Sequence, residues 1–293
     1  MGFLSNEGEN QMKFLVTGAN GQLGQELQKL LRERELDFVA FDSKQLDITN
    51  RVAVFATFEQ VQPDVVLHAA AYTKVDVAED AGRELNWQVN VNGTKNVADA
   101  SKTYGAKLVA VSTDYVFDGT KNSDYVETDA VNPQNAYGRA KLAGELAVTE
   151  SGADAYIVRT SWVFGEFGNN FVYTMQRLAA THSKLTVVND QLGRPTWTRT
   201  LAEFILHLVD VKATYGVYHL SNAGTTTWFD FAREILKDTD VEVAPVTSAE
   251  FPQKAYRPRH SVMSLEKAEA TGFEILNWRE ALEAFLTGLE SER

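Results

Sequence analysis

The 293 residues contain no cysteine, which excludes disulfide bonds and thiolate metal sites. No apolar run approaches the roughly 20 residues that a membrane helix requires, so no membrane association is expected. Basic clusters are missing too. With a net charge of -12 the chain would repel a phosphate backbone, and nucleic acid is not expected as a partner. The five histidines show no metal-ligand spacing, and no bound metal is expected. A secretory signal pattern is absent, which makes the cytoplasm the expected compartment. Proline is scarce, and four of the six lie at 195, 245, 252 and 258, so the earlier part of the chain can run through strands and helices almost uninterrupted. What is present is ordinary for a globular protein with a sizeable buried core: 44% hydrophobic and 23% charged residues.

Short apolar runs bounded by turn residues alternate with amphipathic stretches, the pattern of an α/β fold with a doubly wound, Rossmann-type parallel sheet. Strands are predicted at 12–17, 38–41, 65–70, 108–112 and 155–160, and helices at 22–34, 52–60, 90–104 and 138–149. The helix at 22–34 places Leu23, Leu27, Leu30 and Leu31 on one face. After residue 160 the loops lengthen, and two amphipathic segments, 228–237 and 278–289, close the chain. The expected organisation is a flexible leader at 1–11, a dinucleotide-binding domain over 12–165 with a returning segment at 195–225, and a smaller α/β substrate domain over 166–293.

Between the first strand and the first helix stands T-G-A-N-G-Q-L-G, with Gly18, Gly21 and Gly24 spaced GxxGxxG. The first glycine permits a tight turn, the second lets backbone approach a phosphate, and the third allows close helix-to-strand packing. Asn20, Gln22 and Leu23 fill the same loop and helix start, whose free N–H groups face a pyrophosphate. Asp42 ends the second strand about 18 residues beyond Gly24, where a carboxylate accepts from ribose hydroxyls and favours NAD. Ser43 and Lys44 beside it are equally suited to a 2′-phosphate, which favours NADP, and the choice between NADH and NADPH stays open.

Tyr137 and Lys141, in N-A-Y-G-R-A-K, lie four residues apart and therefore share a helix face. A phenol with a pKa near ~10 exchanges protons poorly at neutral pH, and a neighbouring ammonium favours its ionised form. Upstream, V-S-T-D-Y-V-F-D-G-T begins as a buried strand and ends on Ser112, Thr113, Asp114 and Tyr115. A strand covered on both faces has little use for such a polar end unless it opens into a site.

Taken together, these motifs resemble the extended short-chain dehydrogenase/reductase superfamily. The resemblance implies that Thr113 hydrogen-bonds the reacting oxygen, that Tyr137 is the acid/base, and that Lys141 holds the nicotinamide ribose. Asn90 in N-V-N-G-T matches the helix asparagine that supports the lysine through a water relay, and Ala69, Ala70 and Ala71 match the strand end over which the cofactor passes. Asp47, Ile48 and Tyr72 complete the expected cofactor contacts. More narrowly, A-A-Y-T-K-V-D (70–76), S-T-D-Y-V-F-D-G (112–119), R-T-S-W-V-F (159–164), D-Q-L-G-R-P-T (190–196) and Y-R-P-R-H-S (256–261) are similar to the dTDP-4-dehydrorhamnose reductase family.

That similarity implies NADPH- or NADH-dependent reduction of the C4 ketone of dTDP-4-dehydro-L-rhamnose to dTDP-L-rhamnose. Two donors, Thr113 and Tyr137, suit a developing alkoxide. Asp114 and Tyr115 are expected at sugar hydroxyls, Trp162 as a flat wall for the hexose, and Arg259 or Arg257 at the diphosphate. Other readings are a nucleotide-sugar epimerase or 4,6-dehydratase, and a non-catalytic regulatory subunit resembling the regulator of methionine adenosyltransferase. A dehydratase commonly has an Asp-Glu pair after the threonine; here the pair is Asp114-Tyr115. Some reductases of the family dimerise through Mg²⁺ held by surface carboxylates. Glu26 fits one such position, but Arg199 stands near the expected second acid, where a cation repels a metal. A monomer or weak homodimer is therefore expected.

Overall fold

A computed structural model describes residues 12–291; the expected leader at 1–11 lies outside the described residues. Among the described residues, twelve strands and ten α-helices follow in chain order. The strands are β1 (Phe14–Thr17), β2 (Phe38–Phe41), β3 (Val65–His68), β4 (Lys107–Thr113), β5 (Ala155–Thr160), β6 (Val163–Phe164), β7 (Lys184–Val188), β8 (Leu192–Gly193), β9 (Thr196–Trp197), β10 (Gly216–His219), β11 (Thr226–Thr227) and β12 (Glu242–Val246). The helices are α1 (Gln22–Glu33), α2 (Arg51–Val61), α3 (Arg83–Trp87), α4 (Thr94–Tyr104), α5 (Ala136–Ser151), α6 (Phe171–Ala179), α7 (Thr198–Asp210), α8 (Trp228–Ile235), α9 (Glu266–Glu269) and α10 (Trp278–Ser291).

Six strands form one parallel sheet in the order β10-β5-β4-β3-β1-β2. The chain steps outward from β1 to β2 and then returns to β3 on the other side of β1. The order thus reverses between β1 and β3, where an open α/β sheet leaves a crevice at its carboxyl end. All four residues of β1 are buried because helices cover both faces. Phe14 and Val16 pack with Leu27, Leu30, Leu201 and Phe204 from α1 and α7. Leu15 points the other way, among Val54, Phe58 and Val97 of α2 and α4. Each such side chain, fully buried, contributes about 1.5–3 kcal/mol.

The predicted strands and helices before residue 160 are all present with shifted ends: β1 begins at Phe14, β3 ends at His68, and α5 starts two residues early at Ala136 and so includes Tyr137. The fourth strand runs one residue further, so Thr113 is its last member. The helix expected from Asn90 is preceded by α3 and a wide π turn at Gln88–Gly93, so Asn90 lies in the π turn rather than in α4. After residue 160, β10 joins the edge of the main sheet beside β5, and α7 packs on α1. Strands β6, β7 and β12 with α6, α8 and α10 build a second core around Phe164, Phe231, Trp278 and Phe285, with β7 and β12 as a parallel pair.

Candidate active site

Two residues of the glycine loop, Gly18 and Gly24, sit where only glycine fits. Gly18 has φ +74, and a Cβ there would lie 2.6 Å from the Ala70 backbone nitrogen. A Cβ on Gly24 would collide with the Gly18 carbonyl, so this glycine lets α1 close onto the turn. At Gly21, the residue before α1, no side chain caps the helix, which leaves its first N–H groups facing outward.

Gly18, Asn20, Gly21, Asp42, Asp47, Ile48 and the run Ala69 to Tyr72 line one cavity of about 610 Å³ at the switch between β1 and β3. Ser43, Lys44, Leu46, Thr49, Leu85, Gln88 and Val89 complete its wall. Of these, Leu85, Gln88 and Val89 come from α3 and the π turn and carry no sequence signal. An extended dinucleotide fits such a groove by the uncapped helix end, the glycines and the small alanine floor.

Other predicted cofactor residues stand behind this wall. Leu23 is in the apolar core and offers only its backbone to the loop. Gln22 is packed against Gly168 and lies 3.4 Å from Asn170 Nδ2. Asn90 clamps the Tyr72 backbone: its Oδ1 accepts from Tyr72 N (3.1 Å), and its Nδ2 donates to Tyr72 O (3.0 Å) and Asn86 Oδ1 (2.8 Å). Its side chain is thus committed to the cavity wall, while its backbone carbonyl faces Gly144 on α5. Asp42 accepts from Asn20 Nδ2 (2.6 Å) and from the N–H groups of Lys44 (2.9 Å) and Gln45 (3.0 Å).

Helix α5 brings Tyr137 and Lys141 against the end of β4. Its start is held by Asn135, whose Oδ1 accepts from Gly138 N at 2.6 Å, and by Glu79, which accepts from Ala136 N at 2.6 Å. Gly138 packs directly on the Tyr115 carbonyl, where any Cβ would clash. Lys141 Nζ donates to Val111 O at 2.7 Å. Burial pushes this lysine down to about 8, against the opposing pull of Glu145. Burial also raises the Tyr137 phenol, as does the charge of Asp114, while a hydrogen bond with Thr113 holds it down. The Tyr115 and Tyr137 rings meet edge to face at 6.2 Å.

Below the lysine, Glu145 accepts from Ser112 Oγ (2.5 Å) and from Arg159 through Nε (2.9 Å) and Nη2 (2.7 Å), all of them buried. His68 and His219 are pushed down to about 3, chiefly by burial, and serve the interior as neutral rings.

A second cavity, of about 480 Å³, has Tyr115 in its wall. Phe171, Met175, Val187, Trp228, Phe251 and Arg257 are among its lining residues. The structure changes three expectations here. Trp162 lies face to face with Trp228 at 3.8 Å and has Gly193 against its ring, so Trp228 supplies the wall. Arg257 reaches the cavity, bound to Asp76 at 2.8 Å and 5.6 Å above the Tyr115 ring, whereas Arg259 is exposed and its carbonyl pairs with Leu192 N. Asp114, expected at sugar hydroxyls, is only 2% exposed and turns inward. No sequence pattern marks Trp228 or Phe171, because the cavity gathers residues from segments far apart in the chain.

A glycine-loop Rossmann sheet with Thr113, Tyr137 and Lys141 at the carboxyl end of β4 has the architecture of a nicotinamide-dependent short-chain dehydrogenase/reductase. The comparisons narrow this. The chain matches the family described as "RmlD substrate binding domain" over residues 12–291 and belongs to that family. It is 41% identical over 290 residues to the dTDP-4-dehydrorhamnose reductase of Burkholderia thailandensis, covering 92% of this chain and 97% of the relative. A dTDP-4-keto-6-deoxy-D-glucose reductase of Streptomyces niveus is 40% identical over 275 residues, covering 92% and 95% of the two chains. The crystal structure of dTDP-4-dehydrorhamnose reductase from Bacillus anthracis in complex with NADP superposes with a TM-score of 0.92 at 43% identity, covering 95% of this chain and 99% of that one.

Proposed function

We propose that the protein is an NAD(P)H-dependent reductase of a dTDP-linked 4-keto-6-deoxysugar, with dTDP-4-dehydro-L-rhamnose as substrate and dTDP-L-rhamnose as product. The observation that carries this reading is the meeting of three side chains: Thr113 ends β4, Tyr137 hydrogen-bonds it from α5, Lys141 binds Val111 O one turn on, and the Tyr115 ring that meets Tyr137 lines the second cavity. The nicotinamide cofactor, when bound, supplies the hydride. Gly18, Gly21 and the start of α1 hold its diphosphate, and Asp42, Ser43 and Lys44 lie at its adenosine ribose. Tyr137 gives its proton to the ketone oxygen as C4 is reduced. Lys141, charged and one turn away, favours the resulting phenolate. Thr113 places a second hydroxyl at the developing alkoxide. Arg257 binds the substrate diphosphate and Trp228 flanks the apolar cavity. Residues 12–165 with the return at 195–225 act as the cofactor unit, and 166–293 as the substrate unit. The protein works as a monomer or weak homodimer in the cytoplasm.

The test follows NAD(P)H loss with dTDP-4-dehydro-L-rhamnose, using cofactor deuterated at the reactive nicotinamide face. The label is expected at C4 of the product, with one cofactor consumed per sugar. Unlabelled product formed without net oxidation would mean that the hydride returns to the same sugar, and an epimerase would replace the reductase. Faster turnover of dTDP-4-keto-6-deoxy-D-glucose would reassign the substrate within the same chemistry.

A further inference from the structure

Asp114, the first residue after β4, has no place in the usual account of a Thr–Tyr–Lys site, yet it touches that site directly. Its Oδ1 lies 3.0 Å from Thr113 Oγ1, and its buried Oδ2 has no hydrogen-bond partner. Ser261 flanks the carboxyl from the 255–264 segment, and the rings of Tyr115 and Tyr137 complete its surroundings. Arg257, over the Tyr115 ring, is engaged by Asp76. Hydroxyl and backbone donors reach this carboxyl, but among the described residues no cation is paired with it, and a buried charge needs such a partner.

The hydroxyl of Thr113 sharpens the point. A threonine has one proton and two acceptor lone pairs. Its oxygen already accepts from Tyr115 N at 3.2 Å. An ionised Asp114 can only accept, so it would hold the Thr113 proton and leave a lone pair facing an electron-rich substrate oxygen. A protonated Asp114 reverses that bond. Thr113 Oγ1 then accepts from both Tyr115 N and Asp114, both lone pairs are filled, and the threonine proton is left to the Tyr137 oxygen or, in its place, to the substrate oxygen. With its lone pairs filled, Thr113 no longer competes for the Tyr137 proton.

We propose that Asp114 is a neutral carboxylic acid in the working protein and acts as a positioning residue, donating to Thr113 Oγ1 so that the Thr113 proton faces the oxygen being reduced. The proposal rests on the reductase reading for its kinetic test and on the geometry alone for its spectroscopic one. Burial pushes Asp114 up to about 6, and hydrogen bonding from Ser261 and Thr113 only partly offsets this. Anionic cofactor and substrate add negative charge and exclude water, and both effects raise it further.

Asp114→Ala should lower kcat roughly tenfold or more with KM changed less, the mark of an interaction made mainly in the transition state. Asp114→Asn, whose amide donates to Thr113 at any pH, should recover most of that loss. The wild type should lose kcat by roughly tenfold per pH unit above the pKa of Asp114 in the complex, and the asparagine variant should lack this limb. An asparagine variant as slow as alanine, or with the same alkaline limb as wild type, would overturn the proposal. Infrared difference spectra of the NADP-bound protein at neutral pH give a reading independent of turnover, with selectively labelled aspartate locating the band. A protonated-carboxyl stretch that vanishes in Asp114→Asn is expected; a carboxylate band in its place refutes the idea. Should the asparagine variant not fold, titration of that band in the wild type decides alone.

Discussion

Replacing Arg199 by methionine tests how the interface between α1 and α7 holds its charges. Arg199 Nη1 lies 2.6 Å from Glu33 and 3.7 Å from Glu26, and its Nε lies 2.7 Å from Glu203. The Glu33 and Glu203 pairs are solvated and contribute at most a few tenths of a kcal/mol each. Glu26 is different: its side chain is 1% exposed, Oε2 accepts from Thr198 Oγ1 at 3.2 Å, and Oε1 has no hydrogen-bond donor. Burial, reinforced by Glu166, already raises its pKa; Thr198 and Arg199 hold it down. At an effective dielectric near 20, unit charges at that separation attract by roughly 4 kcal/mol, an upper bound because Arg199 is itself partly solvated. Arg199→Met should therefore cost about 2–3 kcal/mol at neutral pH, less than a fully buried pair.

The pH dependence follows from the sign. A carboxyl whose folded pKa is raised contributes stability that is present below its unfolded pKa and lost as pH rises through its folded value. Without Arg199 the folded value of Glu26 rises further, so more stability is lost between acidic and neutral pH. Denaturant unfolding of wild type and variant at about pH 5 and pH 7.5 should show the gap between them narrowing at the lower pH. A loss below about 0.5 kcal/mol, the same at both pH values, would refute the reasoning.

Tyr137→Phe should lower kcat by roughly 10²-fold or more while cofactor affinity, read by fluorescence titration, stays nearly constant. A kcat near that of wild type would remove Tyr137 as the acid. Gly138→Ala forces a Cβ onto the Tyr115 carbonyl, so α5 must shift away from β4. The variant should lose about 1–3 kcal/mol of stability and lose kcat more than cofactor affinity. A variant with wild-type melting temperature and kcat would show that this contact sets no geometry.

The placement of Tyr137 and Lys141 beside the end of β4 was legible in the chain because it is local. A four-residue spacing on a helix places Tyr137 and Lys141 on one face whatever the rest of the molecule does. The turn after β1 likewise demands glycine at Gly18 and Gly24 from its own backbone geometry and close contacts. Alternation of apolar runs and amphipathic stretches sufficed for the parallel sheet, since strands covered on both faces must be apolar throughout. What only the tertiary structure decided depends on how distant segments close on one another. Arg257 rather than Arg259 reaches the second cavity because Asp76, 181 residues away, draws it there. Trp162 stacks on Trp228 across more than sixty residues of chain, a pairing that no local period encodes. Asp114 looked like a sugar ligand from its place beside Thr113, but α5 and the segment around Ser261 close over it. Burial is a property of the packed molecule, and it decides whether a carboxyl presents a charge or a proton.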